Sequence, residues 1–172
     1  GLDKVNLYLP DGHVLLNGST VAIDDRPYYS RFFAFPLTLS QQPSPYYFQI
    51  QSTYPVTLPL QLTERTWHNR AQFIDNLLQF IYYGGLLSLI IYNLVLYAII
   101  KDSKYLLYVL FAFFTGLGIF AGNGYAQLYL WPNSPNWAEI AQTCLFCVAG
   151  TFGMVLTRRF LKAGQRLPRA SR

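Results

Sequence analysis

The chain has 172 residues, enough for one domain with a buried core, yet apolar residues make up 52% of it and charged residues only 12%. Globular domains carry about twice that charge, which excludes an ordinary soluble domain as a description of the whole chain. The charge is also divided unevenly around Asp75: residues 1–75 hold five Lys/Arg and six Asp/Glu, residues 76–172 hold eight and two, and the formal net charge is +5.

Residues 1–66 read as β-structure. Tyr46, Phe48 and Ile50 alternate with Tyr47, Gln49 and Gln51, and Val56, Leu58, Leu60 and Leu62 alternate with Thr57, Pro59 and Gln61. That is the two-residue period of a half-buried strand. Further strands are predicted at 5–9, 13–16, 20–23 and 31–39. Asp11-Gly12, between Leu9 and Val14, is a hairpin signal because glycine tolerates positive φ, and Asn17-Gly18 supplies a similar turn. Pro59 has no N–H to give a ladder, which places its strand at an edge or a bulge. Short strands with turn signals about every 8–12 residues predict a sandwich or barrel. Six of them make a thin one. An outer β-domain must be exported, but the sequence starts at Gly1 without a cleavable secretory segment, so the chain is expected to be a piece of a longer protein, cut at both ends.

Residues 67–75 are read as an interfacial linker. Only TERTWHNRAQFID separates the last predicted strand from the first apolar run, without the Gly/Ser/Pro content of a flexible tether. This short, stiff join is expected to pass movement of the outer domain to the first helix. From Asn76 to Ile100 there is no charged residue, and about 20 apolar residues already cross a hydrocarbon core about 30 Å thick. A second uncharged run extends from Tyr105 to about Gly122 and a third from about Ile140 to Thr157. Transmembrane helices are therefore predicted at about 76–100, 105–122 and 140–160, followed by a basic tail at 162–172. The soluble alternative, a helical hairpin buried in a larger protein, lacks the polar mass to surround three such helices.

Lysine and arginine favour the cytoplasmic side of a membrane. Lys101 and Lys104 lie in the first connection, Arg158, Arg159, Lys162, Arg166, Arg169 and Arg172 follow the third run, and residues 123–139 contain neither residue type. The island KDSK and the tail are thus expected inside, and the N-terminal domain and residues 123–139 outside. Trp67, Tyr125, Tyr129, Trp131 and Trp137 fall at the predicted outer boundary, where an amphipathic ring buries its body and wets its edge. The three tryptophans are the candidate interface anchors. Asn93 lies deep in the first span, where an amide facing lipid is costly, and is expected to hydrogen-bond another helix as packing element or as switch. Gly84 and Gly85 would allow close helix approach, as would Gly116, Gly118 and Gly122 in the second span.

LDKVNLYLPDG, AIDDRPYYSRFFAFPLTL and YYFQIQSTYPVTLPLQL resemble the later half of the β-rich extracellular domain of bacterial seven-transmembrane receptors with diverse intracellular signalling modules (7TMR-DISM). FIYYGGLLSLIIYNLVLY, KDSKYLLYVLF, NGYAQLYLWP and RRFL are similar to the first three spans of those receptors, in order and spacing. The resemblance implies a jelly-roll-like sandwich that takes a carbohydrate or other small ligand, then seven helices, then a cytoplasmic output such as a diguanylate cyclase, histidine kinase or phosphatase. It implies an inner-membrane protein with a periplasmic or extracellular N-terminal domain, whose partners are the bilayer, the remaining membrane helices and the signalling domain; a homodimer is a further candidate assembly. Four helices and the output lie beyond the three spans read here.

Catalytic chemistry finds little support. Cys144 and Cys147 form CLFC, two thiols where structural zinc wants four ligands, and read as small apolar residues of a membrane helix. His13 and His68 stand far apart, each without a surrounding ligand cluster. Asn17-Gly18-Ser19 has the form of a glycosylation acceptor but is read as a turn. A phosphate-cradling loop, a pair of acids for sugar hydrolysis and a nucleophile with its base cannot be assembled, so neither enzymatic activity nor a cofactor is expected. The basic tail follows directly on a spanning helix, which points to topology and anionic lipid rather than nucleic acid. The expected protein is thus of β + α membrane class: a partial jelly-roll-like sandwich outside, a bundle of three transmembrane helices, and a sensory function. A transporter would place ionisable residues along a path, whereas Asp102 and Glu139 sit at loop positions. A membrane-anchored carbohydrate-binding module would need only one span.

Overall fold

The computed structural model describes residues 2–38, 44–52 and 60–164, for 162–164 the backbone alone. Strands β1 (Leu2–Tyr8), β2 (Val14–Asn17) and β3 (Tyr47–Ser52) precede helices α1 (Arg65–Ile100), α2 (Ser103–Gly122), α3 (Tyr125–Tyr129) and α4 (Pro135–Gly164). The chain forms two compact units, Gly1–Leu60 with Ile119–Gln142, and Gln61–Gly118 with Thr143–Arg172.

The first unit is built on an antiparallel sheet in the order β2-β1-β3. The Asp11-Gly12 signal becomes its hairpin: Gly12 has φ +85°, and the Asp11 carboxylate accepts the His13 N–H at 3.0 Å, an Asx turn that closes the loop locally. Val5 lies opposite Asn17 and Ile50, and Leu7 opposite Leu15 and Phe48. Alternation therefore puts Val5, Leu7 and Asn17 on one face, where all three are buried, and Asn6, Tyr8 and Gln49 on the other.

Two predicted strands are absent. Residues 20–23 instead lead into a single 3-10 turn, Ile23–Asp25, because their backbone groups find partners off the ladder. The Asp3 carbonyl accepts from both the Thr20 N–H and its hydroxyl, the Ile23 N–H reaches the Pro132 carbonyl, and the Val21 carbonyl accepts from Arg26. Residues 31–38 also form no strand. Their aromatic alternation serves side-chain packing instead, with Phe35 edge-on to Phe48 and Phe33 beneath the Arg26 guanidinium. Of the strand predicted at 56–62, residues 56–59 lie outside the described residues, as does residue 39, and residues 60–62 join no ladder.

The second unit is helical. α1 has 36 residues, about 54 Å at 1.5 Å per residue, well beyond a hydrocarbon core of about 30 Å. The predicted first span is its later part, and the predicted linker 67–75 is helical as well. It ends where Lys101 turns into the left-handed region at φ +56°. Asp102 then opens α2 by accepting the Lys104 N–H at 3.0 Å, so the chain reverses within two residues. α2 packs between its neighbours. Ile90 of α1 meets Val109 and Ala112 of α2, while Phe114 of α2 stacks on Phe152 of α4 at 5.6 Å.

Three helices, Arg65–Ile100, Ser103–Gly122 and Pro135–Leu161, are long and apolar enough to cross a membrane. Their outward faces carry exposed apolar side chains such as Leu87, Ile91 and Val95 of α1. Three hydroxyls within them bond backward to their own helix: Ser88 to the Gly84 carbonyl, Thr151 to Cys147 and Thr157 to Gly153. Where no water can serve, this satisfies the hydroxyl without a second helix.

Candidate functional site

The open face of the sheet holds a small polar and aromatic array. Gln49 Oε1 accepts from the Tyr8 hydroxyl at 2.8 Å and from Asn6 Nδ2 at 3.3 Å. Tyr47 stands directly opposite Tyr8 in the register and is 66% exposed. The Gln49 amide nitrogen and the Asn6 amide oxygen make no protein hydrogen bond among the described residues. A donor and an acceptor are thus left beside two tyrosines on paired strands.

The other face of the sheet is closed by the segment 17–35. Asn17, fully buried, accepts the Gly18 N–H at 2.9 Å and donates to the Ala34 carbonyl at 3.4 Å. Arg26, also buried, gives its N–H groups to the Gly18 and Val21 carbonyls and lies 5.2 Å from the centre of the Phe33 ring. Burial pushes its guanidinium below the usual arginine range. It is paired with carbonyl dipoles and a ring, not a carboxylate, among the described residues. Gly18, at φ +138°, leaves no room for a Cβ, which would strike the Asp3 carbonyl.

Segment 19–31 also binds the connection between α2 and α4, which belongs to the same compact unit. Arg31 lies between the rings of Phe32 and Tyr125, at 4.4 and 4.7 Å from their centres, and donates to the Asn123 carbonyl at 3.2 Å. Gly124 has φ +81°, a turn conformation that favours glycine, and a Cβ there would crowd Arg31 Cβ at 3.2 Å. The Tyr29 hydroxyl donates to the Leu128 carbonyl, and the Ser19 hydroxyl to Glu139 Oε1 at 3.0 Å. Tyr125 is 1% exposed and stacks on Phe120 of α2. It is therefore a core residue of the outer unit and not an interfacial ring, because Arg31 covers its face.

The residues singled out by sequence are placed as follows. Asn93 shares the partly buried stripe of α1 with Leu86, Ile90 and Tyr97, yet its amide donates at 2.8 Å to the Leu89 carbonyl of its own helix rather than to a second one. No other described atom comes within 4 Å of a Cβ built at Gly84 or Gly85, whereas Gly116 receives Leu86, Gly118 receives Phe146 and Gly122 receives Gln142. Trp67 opens α1 and is 59% exposed; Trp131 and Trp137 meet edge to face at 6.1 Å. Arg159 bonds the Ser103 hydroxyl, and the Lys104 ammonium lies 3.2 Å from Asp102 and 5.9 Å from the Phe160 ring centre. Lys101 and Arg158 are exposed nearby in sequence. The Lys162 side chain and Arg166, Arg169 and Arg172 lie outside the description. Cys144 and Cys147 are free and exposed on α4, and no group of three His, Cys, Asp or Glu gathers among the described residues.

Sequence reasoning missed Arg26 and Arg31. The available signal was two arginines inside RPYYSRFF, a short run dense in aromatic rings, where ring faces and backbone carbonyls can hold a guanidinium. It also missed Ser19 and Glu139, 120 positions apart, for which no local signal exists.

Residues 75–172 match the family model described as 7TM diverse intracellular signalling, and residues 1–64 match 7TMR-DISM extracellular 2. No curated protein and no solved structure gives a match. The first match covers more than half of the chain and contains the apolar helices; the second coincides with the sheet and the segment that closes it. With an extracellular domain of this type followed by three membrane-crossing helices, the chain belongs to the 7TM diverse intracellular signalling family of transmembrane sensory receptors.

Proposed function

We propose that this receptor senses a carbohydrate, held across the open face of the sheet by Asn6, Tyr8, Tyr47 and Gln49, and relays the event through its membrane helices to a cytoplasmic output module. The observation that supports the ligand class is the Tyr8–Gln49–Asn6 network beside Tyr47. Sugar rings offer C–H faces to aromatic rings and hydroxyls to amides, and both kinds of group are exposed here on one rigid surface. The lysines and arginines around the α1–α2 connection and the end of α4 support a reading in which that end lies in the cytoplasm, at an inner membrane, with anionic lipid as their partner. In a neighbouring copy or in further helices of the receptor, Gly84 and Gly85 would find the close partner that they lack here.

The test is a panel of immobilised neutral and acidic oligosaccharides presented to the detergent-solubilised chain. At least one should be retained, and Tyr47→Ala should weaken that binding by about tenfold, ~1.4 kcal/mol. Failure of every glycan to bind, or binding indifferent to both Tyr8→Ala and Tyr47→Ala, would remove this face as the ligand site.

A further inference from the structure

We infer that the outer domain drives the membrane helices through the connection between α2 and α4, which it grips from end to end, and not through the join that leads into α1. The inference rests on the receptor reading for its purpose, but the contacts that carry it need no ligand.

The grip is distributed along the whole connection. Asn123, the first residue after α2, gives its carbonyl to Arg31, and its own N–H caps the helix on the Ile119 carbonyl at 2.9 Å. Tyr125 is held against Arg31 on one side and against Phe120, in the closing turns of α2, on the other. Leu128 and Pro132 give their carbonyls to the Tyr29 hydroxyl and the Ile23 N–H. Glu139, in the opening turns of α4, accepts from Ser19, whose N–H is bonded to the Leu2 carbonyl of β1. Through Ser19 the sheet is therefore one residue removed from α4, and Arg31 bonds directly to the residue that follows α2.

The approach to α1 differs. Leu60–Thr63 are all exposed, and among the described residues none of them makes a hydrogen bond. Glu64, which precedes α1, offers no side-chain cap. A segment without packing or hydrogen bonds opens at little free-energy cost and transmits displacement poorly, whereas one pinned at five positions moves with the body that pins it. α2 is also the middle helix of the second unit. A displacement of its outer end shears the Gly116–Leu86 contact with α1 and the Gly118–Phe146 contact with α4 together, and close-packed contacts of this kind shift between discrete arrangements rather than deforming smoothly. A ligand with unequal affinity for two positions of the outer domain would then select between two arrangements of the bundle.

The experiment is amide hydrogen exchange on the full chain in lipid nanodiscs, with no ligand added. Three variants are compared with wild type: Ser19→Ala, Arg31→Gln, and an insertion of ten Gly/Ser residues after Thr63. Ser19→Ala should speed exchange in residues 137–142 by about two- to tenfold, the equilibrium equivalent of one net hydrogen bond. Arg31→Gln should do the same in 119–131, and the insertion should leave both segments at wild-type rates. The inference is overturned if the substitutions leave 119–142 unchanged, or if the insertion loosens 119–142. Should Arg31→Gln unfold the outer domain, seen as lost protection of Leu2–Tyr8, the Ser19→Ala variant, at a half-buried position, decides alone. Absence of glycan binding would leave this result standing, and unchanged exchange here would leave glycan binding standing.

Discussion

Asp102 shows how much one side chain decides at a helix reversal. Its carboxylate accepts the Lys104 backbone N–H and pairs with the Lys104 ammonium. The backbone hydrogen bond first, then the Lys104 side chain, hold its pKa below the ordinary aspartate range. A depressed folded pKa contributes stability that is present above the unfolded value and is lost as pH falls through the folded one. Asp102→Ala should therefore lower the thermal midpoint slightly at neutral pH, and the gap to wild type should close in strong acid. Asp102→Asn, which keeps the cap oxygen without the charge, should lose the pH dependence and retain most of the stability; a gap that persisted at low pH would contradict this account. Sequence alone could read Asp11-Gly12 and Lys101-Asp102-Ser103-Lys104 as reversals because the chemistry of each is local. It could not read Asn17 as a buried hub or Tyr125 as core, since both roles depend on residues far away in the chain.

At the scale of elements, the three apolar helices were legible, because uncharged apolar runs of about 18 residues or more leave few alternatives. The start of α1 was not, since residues 65–75 carry the polar composition of a linker and still belong to the helix. Nor was the inner register of the helices. Five glycines look alike in sequence, yet Gly116, Gly118 and Gly122 each face a side chain across a helix pair while Gly84 and Gly85 face none. Substitution should separate the two classes. Gly84→Ala should stabilise α1 by about 0.5–1 kcal/mol through helix propensity, whereas Gly116→Ala should cost about 1–3 kcal/mol as Leu86 is displaced. Thermal unfolding of the detergent-solubilised chain measures both. If Gly84→Ala instead destabilises, a helix or a second copy covers that stripe. The strands at 20–23 and 31–39 were misread for a related reason: alternation reports which side chains are buried, and in this segment they are buried against Arg26 and the α2–α4 connection without any ladder.

For the molecule as a whole, the contacts and the charges bear independently on orientation. A chain that enters α1 from one side of a bilayer returns to that side after α2, so the N-terminal domain and residues 123–134 must share it if all three helices span. The compact unit formed by Gly1–Leu60 with Ile119–Gln142 meets that requirement without reference to charge. Arg159 on Ser103 likewise joins the end of α4 to the start of α2 within the second unit, which gathers Lys101, Lys104, Arg158 and Arg159 at one end of its helices. Contacts fix which segments lie together; only the lysines and arginines decide which side is the cytoplasm, because anionic lipid and the insertion machinery retain them there. A reporter enzyme active only after export, fused behind Trp131 in a bacterial host, should be active, and the same reporter fused behind Lys104 inactive. The reverse pair of results would invert the receptor. Two active or two inactive fusions would mean that α2 does not span, and would break the shared-side argument at its parity step.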